Sequence, residues 1–186
     1  MTSNTIGTDG TITRDARSRY RQRGEEGAHG AFEAETKLAG GAPRAEVEVR
    51  RGVAPADVAA LLGGDAGAEV VTRQRRMYNG ERLVQLADTY VPAFVVEAAP
   101  QVAQMDTGTG GIISRMADAG MAQASVVEDV TQAPATAEQA AALGVEAGEL
   151  LLNITHTGMT EDGRVVEVTR HVLGRGWTLR YGVPLD

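Results

Sequence analysis

The stretch Arg73-Gln74-Arg75-Arg76-Met77-Tyr78-Asn79-Gly80-Glu81, running on into Val84-Gln85-Leu86-Ala87-Asp88-Thr89-Tyr90-Val91-Pro92, decides the fold. Its two halves flank Asn79-Gly80, and an Asn-Gly pair tolerates the positive φ values of a type I′ hairpin turn. Strands are therefore predicted over residues 69–78 and 83–91. A second hairpin is predicted from Leu150 to Thr157 and Arg164 to Leu173, joined through Glu161-Asp162-Gly163. Ala45-Glu46-Val47-Glu48-Val49-Arg50 alternates strictly, as a half-buried strand does, and Val126 to Val130 reads as another strand.

Helical signals fall between these strands. Phe32, Glu35 and Leu38 share a helical face that Gly40-Gly41-Ala42-Pro43 stops. Pro55 opens a short helix through Val58, Leu61 and Leu62, ended by Gly63-Gly64. Ile112, Ile113 and Met116 form an amphipathic helix after Thr107-Gly108-Thr109-Gly110-Gly111, closed at Gly120. Thr136 caps a helix through Leu143, with Glu138-Gln139 in its first turn and Gly144 at its end. Helices linking antiparallel hairpins indicate an α+β sheet layer, not a parallel doubly wound fold.

The bulk numbers narrow the function. At 186 residues, 42% hydrophobic and 23% charged, the chain has the composition of one globular domain plus a tail. It has no cysteine, which excludes disulfides and thiolate metal sites. Runs such as Ala93-Phe94-Val95-Val96 fall far short of the ~20 apolar residues a membrane span needs, so no membrane partner is expected. The start Met1-Thr2-Ser3-Asn4-Thr5 lacks the regions of a signal peptide, and the cytoplasm is the expected location. A formal charge of -7 argues against nucleic acid as the main partner, because DNA affinity rests on basic side chains neutralising phosphates. Arg14, Arg17, Arg19, Arg21 and Arg23, interleaved with Tyr20, suggest either a DNA contact or a solvated linker. The acidic and glycine residues that follow favour the linker. Residues 1–28 are read as a flexible tail or linker and residues 29–186 as the domain.

No catalytic cluster is visible. There is no Gly-x-Ser-x-Gly, and neither Ser114 nor Ser125 lies near an evident base. Glu161-Asp162 and Glu128-Asp129 fall in a turn or on opposite strand faces, poor geometry for shared acid–base work. His29, His156 and His171 show no metal-ligand spacing, so no metal or cofactor is expected, and the two strand histidines read as core or sheet-face residues. The glycine loop at Gly110-Gly111 precedes a helix start, where free amides favour an anion, but no Gly-Lys-Ser/Thr follows. On the first hairpin, Arg73 and Arg75 project to one face and Gln74 and Arg76 to the other. Guanidinium groups suit bidentate binding of carboxylate or phosphate, although a solvated strand face would show the same residues.

In this order, the hairpin with Tyr90 and Pro92, the block Glu128…Ala133…Ala135…Leu143-Gly144, and the turn Asp162-Gly163 followed by Glu167 resemble a known family. It is the UTRA domain, the effector-sensing half of GntR-type bacterial repressors of the HutC subfamily. The resemblance spans roughly residues 29–186. It implies a chorismate lyase-like α+β fold: an antiparallel sheet of about six strands flanked by helices, often dimeric. It also implies a small-molecule effector held without chemistry, contacted by Arg73 and Arg75 or by the Gln74/Arg76 face, by Glu167, and by amides near Gly110 and Gly111. Phe32 and Tyr90 stand near that site in the matched pattern, and Glu128 matches a strand glutamate with a structural role. Phosphosugar sensors carry Ser-Phe-Thr where this chain has Ala31-Phe32-Glu33, so a phosphosugar effector is not expected. Regulators of this kind carry an N-terminal winged helix-turn-helix. The twelve polar residues ahead of the arginine cluster are too few to form one, so the chain alone is not expected to bind an operator specifically. The alternative is a stand-alone chorismate lyase-like enzyme or sequestering protein acting on an aromatic or natural-product ligand.

Overall fold

A computed structural model describes residues 11–20, 22, 27–64 and 67–183. Six antiparallel strands form the main sheet: β2 (Pro43–Val53), β3 (Glu69–Asn79), β4 (Arg82–Pro92), β5 (Ser125–Pro134), β6 (Leu150–Met159) and β7 (Val165–Leu173). Their spatial order is β2-β3-β4-β7-β6-β5. The two predicted hairpins lie side by side, β4 against β7, and the predicted α+β class holds. A second sheet pairs β1 (Ile12–Asp15) in parallel with β8 (Trp177–Arg180). Neither strand of that small sheet was expected from the periodicity. Residues 12–20, assigned above to the flexible tail, are built into the fold: Ile12, Arg14 and Arg19 are buried, the last on the one-turn helix α1 (Ala16–Arg19).

The local chemistry explains the element ends. In the β3–β4 turn only Gly80 takes a positive φ, 60°, and no non-glycine residue among those described does. The turn therefore lacks the two left-handed residues of the expected type I′ form. The helix α6 (Ala137–Leu143) has the capping box expected of Thr136 and Gln139, and Gly144 ends it at φ 65°.

The back face of the sheet buries two apolar clusters. The helix α3 (Ala56–Leu61) packs Val58 and Ala59 on Val70, Tyr90 and Val168. At the other end α6 packs Ala140 and Leu143 on Leu83 and Leu151. On the front face, α4 (Ala93–Ala98), a 3-10 turn (Pro100–Ala103) and α5 (Gly111–Asp118) cover one end, with Val95, Val102 and Met116 seated on Val71 and Val91. The helix α2 (Ala31–Leu38) covers the other end, where Phe32 joins Ile12, Met77, Val84 and Ala87. Among the described residues no helix is long and apolar enough to cross a membrane.

Candidate functional site

Between these two front-face covers lies a cavity of about 320 Å³. Antiparallel partners point to the same side of a sheet, so the register specifies its floor. One row of partners runs Val47, Arg75, Ala87, His171, Ile154; the next runs Val49, Arg73, Thr89, Thr169, His156, Glu128. The walls come from residues 29–33 and from the loop 105–113.

Of the residues singled out in the sequence, Arg73, Arg75, Gly110, Gly111, Glu167 and Phe32 all line this cavity. Arg76 does not: it is exposed on the opposite face of β3. Tyr90 also lies on the back face, in the cluster under α3.

The lining residues do different work. Arg73 is 3% exposed, and its guanidinium donates to the carbonyls of Val102 (2.8 Å), Gln104 and Met105 (3.1 Å). It thus fixes the segment after the 3-10 turn against the sheet. Arg75 donates to Thr89 Oγ1 (2.5 Å), which also shares a hydrogen bond with Thr169 Oγ1 (2.7 Å). Its Nε is buried with no partner among the described residues. Burial, with Arg73 adding to it, brings the Arg75 pKa down to about 10, so the group stays cationic at neutral pH.

Glu167 is 3% exposed and receives a hydrogen bond from Gln123 Nε2 on Oε1 (2.8 Å). His156 Nε2 approaches the same oxygen to 3.0 Å, off the line of a hydrogen bond, so both His156 ring nitrogens lack a hydrogen-bond partner among the described residues. Glu167 Oε2 is likewise buried and without a partner among the described residues. Burial works to raise this carboxyl's pKa, but His156, Gln123 and Arg75 outweigh it and hold it below the usual range. Glu167 is therefore an anion on the cavity lining. Arg170, on the opposite face of β7, pairs with Asp57. His171 Nδ1 meets Gln85 Nε2 at 2.9 Å, and burial followed by nearby arginines pushes its pKa well down.

The glycine loop differs from an anion nest. The amide of Gly110 donates to Ala28 O (2.8 Å) and that of Gly111 to Gly108 O (3.1 Å). Gly111 has φ +67°, and a Cβ there would sit 2.6 Å from His29 O. These glycines allow the loop to press on the segment before α2. Their amides are committed within the protein.

Sequence reading missed the roof. Tyr20 and Arg19 also line the cavity, and Tyr20 stacks on His156 with ring centroids 4.3 Å apart and planes at 11°. Its hydroxyl donates to Glu128 Oε1 and accepts from Arg14 (2.7 Å), while Arg14 also pairs with Glu128 and Arg19 pairs with Glu35. Tyr181 adds a hydrogen bond to Glu128 Oε2 (3.0 Å). Glu128, matched above to a strand glutamate with a structural role, is thus tied to the N-terminal segment and to Tyr181. The signal was the Arg/Tyr cluster itself, read as a solvated linker because its apolar anchor Ile12 stands alone in a polar stretch. Among the described residues no group of three or more His, Cys, Asp or Glu is placed to hold a metal ion.

A family model for the UTRA domain matches residues 39–174, and the chain belongs to that family. Among solved structures it is similar to a protein described as a GntR-family transcriptional regulator, at 22% identity and TM-score 0.76, over 96% of this chain and 72% of that one. It is also similar to PhnF from Mycobacterium smegmatis, at 19% identity and TM-score 0.74, over 95% of this chain and 73% of PhnF. The effector domain of the same PhnF matches at 20% identity and TM-score 0.69, over 89% of this chain and 99% of that domain. At these identities the likeness carries the fold alone. No curated protein matches the sequence.

Proposed function

We propose that this chain is the effector-sensing module of a GntR-type bacterial transcription regulator, working as a homodimer in the cytoplasm. The cavity binds a small metabolite without transforming it, and its occupancy is relayed to DNA binding elsewhere in the regulator. The observation that carries this reading is the cavity floor. Arg75 and Glu167 both line the one cavity, and each carries a buried atom, Nε and Oε2, with no hydrogen-bond partner among the described residues. Each such group costs about 1–3 kcal/mol when unmade, a cost that a ligand's own polar groups would relieve. UTRA family membership supports this reading over the enzyme or sequestering alternative.

The relay runs through the roof. Tyr20 touches His156 inside the cavity, and the segment that bears it is pinned by β1 to β8. A ligand that shifts His156 therefore shifts the N-terminal segment. It biases two arrangements only as far as it contacts them differently.

The test is a thermal-shift screen against bacterial metabolites, followed by hydrogen exchange with the best ligand. A ligand at a hundredfold excess over its Kd stabilises the fold by about 2.7 kcal/mol, and exchange should slow in residues 12–20 as well as in β7. A screen in which nothing raises the melting temperature sinks the sensor reading. A ligand that stabilises the fold but leaves residues 12–20 unchanged sinks the relay.

A further inference from the structure

We infer that two copies of this chain join through the outer edge of β5, strand to strand and antiparallel, with the two-fold axis at Val130. This rests on the homodimer in the sensor reading above and names the surface that forms it.

The six-stranded sheet ends in β2 on one side and β5 on the other, and among the described residues no further strand pairs with either. An open edge presents unpaired backbone N–H and C=O groups, and charges along it deter another strand from adding. β2 is guarded in this way. Arg44 pairs with Glu46 and Arg50 with Glu48 along the strand, all four are exposed, and so is Arg51. β5 is not guarded. It carries no lysine or arginine, runs beside β6 over its whole length without a bulge, and is exposed from Asp129 to Pro134. Of its two carboxylates, Glu128 is committed on the front face to Arg14, Tyr20 and Tyr181. Val127, Val130 and Leu150, the β6 neighbour of Pro134, are large apolar residues left exposed at this edge. An edge of this composition suits a second strand of the same kind.

Symmetry then fixes the register. A two-fold relating antiparallel neighbours stands perpendicular to the sheet, so the front faces stay together and one residue lies opposite itself. An axis at Glu128 or Asp129 would set carboxylate against carboxylate, and like charges directly opposite are destabilising. With Val130 on the axis the strands overlap from Val126 to Pro134. Glu128 then meets Gln132 of the second copy and Asp129 meets Thr131, while Val127 meets Ala133 on the back face. On the front face Val126 meets Pro134 of the second copy, with Leu150 beside it. Axes at Val127 or at Thr131 shorten the overlap. Because Glu128 anchors the N-terminal segment close to this axis, both N-terminal segments stand on one face of the joined sheet. They are related by the same two-fold that a palindromic operator has.

The test is sedimentation equilibrium of the full chain, joined to cysteine cross-linking. We expect a dimer that forms in the micromolar range. Val130→Lys sets two ammonium groups against each other at an exposed position and should weaken the dimer roughly tenfold or more. Glu48→Lys, on the β2 edge, should leave it unchanged. The chain has no cysteine, so each cysteine variant carries a single thiol. In Val130→Cys the two Cα atoms would lie about 4.5–5.5 Å apart, within reach of a disulfide. In Thr131→Cys they would be diagonal neighbours about 7–8 Å apart, beyond it. Under mild oxidation of the folded protein, Val130→Cys should therefore cross-link roughly tenfold faster or more. This second readout stands if Val130→Lys does not fold. A chain that stays monomeric through the micromolar range overturns the inference together with the homodimer, and the metabolite screen above decides ligand sensing separately. A dimer that survives Val130→Lys, that Glu48→Lys dissociates, or that cross-links as fast through Thr131→Cys overturns this edge and register but leaves the homodimer standing.

Discussion

The two faces of the sheet are made of the same strands yet solve different problems. On the back, α3 and α6 seal apolar clusters, and the charged residues such as Arg170 reach partners at the surface. On the front, two arginines, a glutamate and two histidines are turned inward around an unfilled space, and several of their polar atoms have no partner. Burial of polar groups is tolerated when they are satisfied and costly when they are not. The back face therefore carries stability, and the front face holds unmet hydrogen-bonding capacity that suits a ligand.

Three measurements would break or sharpen that contrast. Leu151 is 3% exposed in the back-face cluster under α6. Leu151→Ala should cost about 3 kcal/mol by urea unfolding, through lost burial and the void left behind. Ligand affinity of the folded fraction should be unchanged; a drop in affinity instead would tie the two faces together more tightly than their separate clusters suggest.

Arg73→Met should cost less, about 2 kcal/mol, because it strips the carbonyls of Val102, Gln104 and Met105 of their donor. If Arg73 is a brace, hydrogen exchange should quicken across residues 100–110 first. A variant of wild-type stability that loses only ligand binding would make it a ligand contact instead.

The smallest effect is on pH. The buried His171 has a pKa well below its ordinary value, so the unfolded chain takes up a proton that the folded one refuses. Stability is therefore complete above an unfolded pKa of about 6.5 and falls as pH drops below it, at up to 1.36 kcal/mol per unit. Between about pH 7.5 and 5.5 we expect a loss of about 1 kcal/mol by urea titration, largely removed in His171→Gln. A wild-type curve flat across that range would show that His171 takes up its proton in the fold as readily as in the unfolded chain.

Much of this architecture was legible beforehand because its signals are local. Asn79-Gly80 and Asp162-Gly163 marked two hairpins, Thr136 and Gly144 bounded a helix, and strict alternation marked β2. What stayed hidden depends on contacts between distant residues. β1 is too short to show a period and exists because β8 lies beside it. Arg14, Arg19 and Tyr20 read as solvated, yet Glu128 and Glu35 draw them inside. The Gly110 and Gly111 amides read as free for an anion, but Ala28 O, in the segment before α2, takes the first and Gly108 O the second.

The sequence by itself settled which segments form the six-stranded sheet, where its two hairpins turn back, and that Arg73 and Arg75 share a face opposite Arg76. Only the tertiary structure decided which face is the inner one. A register slip of one residue exchanges the faces of a strand, and each hairpin contains such a slip. Between Met77 and Tyr78 the pairing shifts so that Arg75 lies opposite Ala87, and between Gly158 and Met159 it shifts so that His156 lies opposite Thr169. Had either hairpin kept the register of its turn, Arg75 would lie opposite Leu86, or His156 opposite Val168, both residues of the back face. A bulge forms where packing on both sides of the sheet favours one extra residue, and no pattern within a single strand records that.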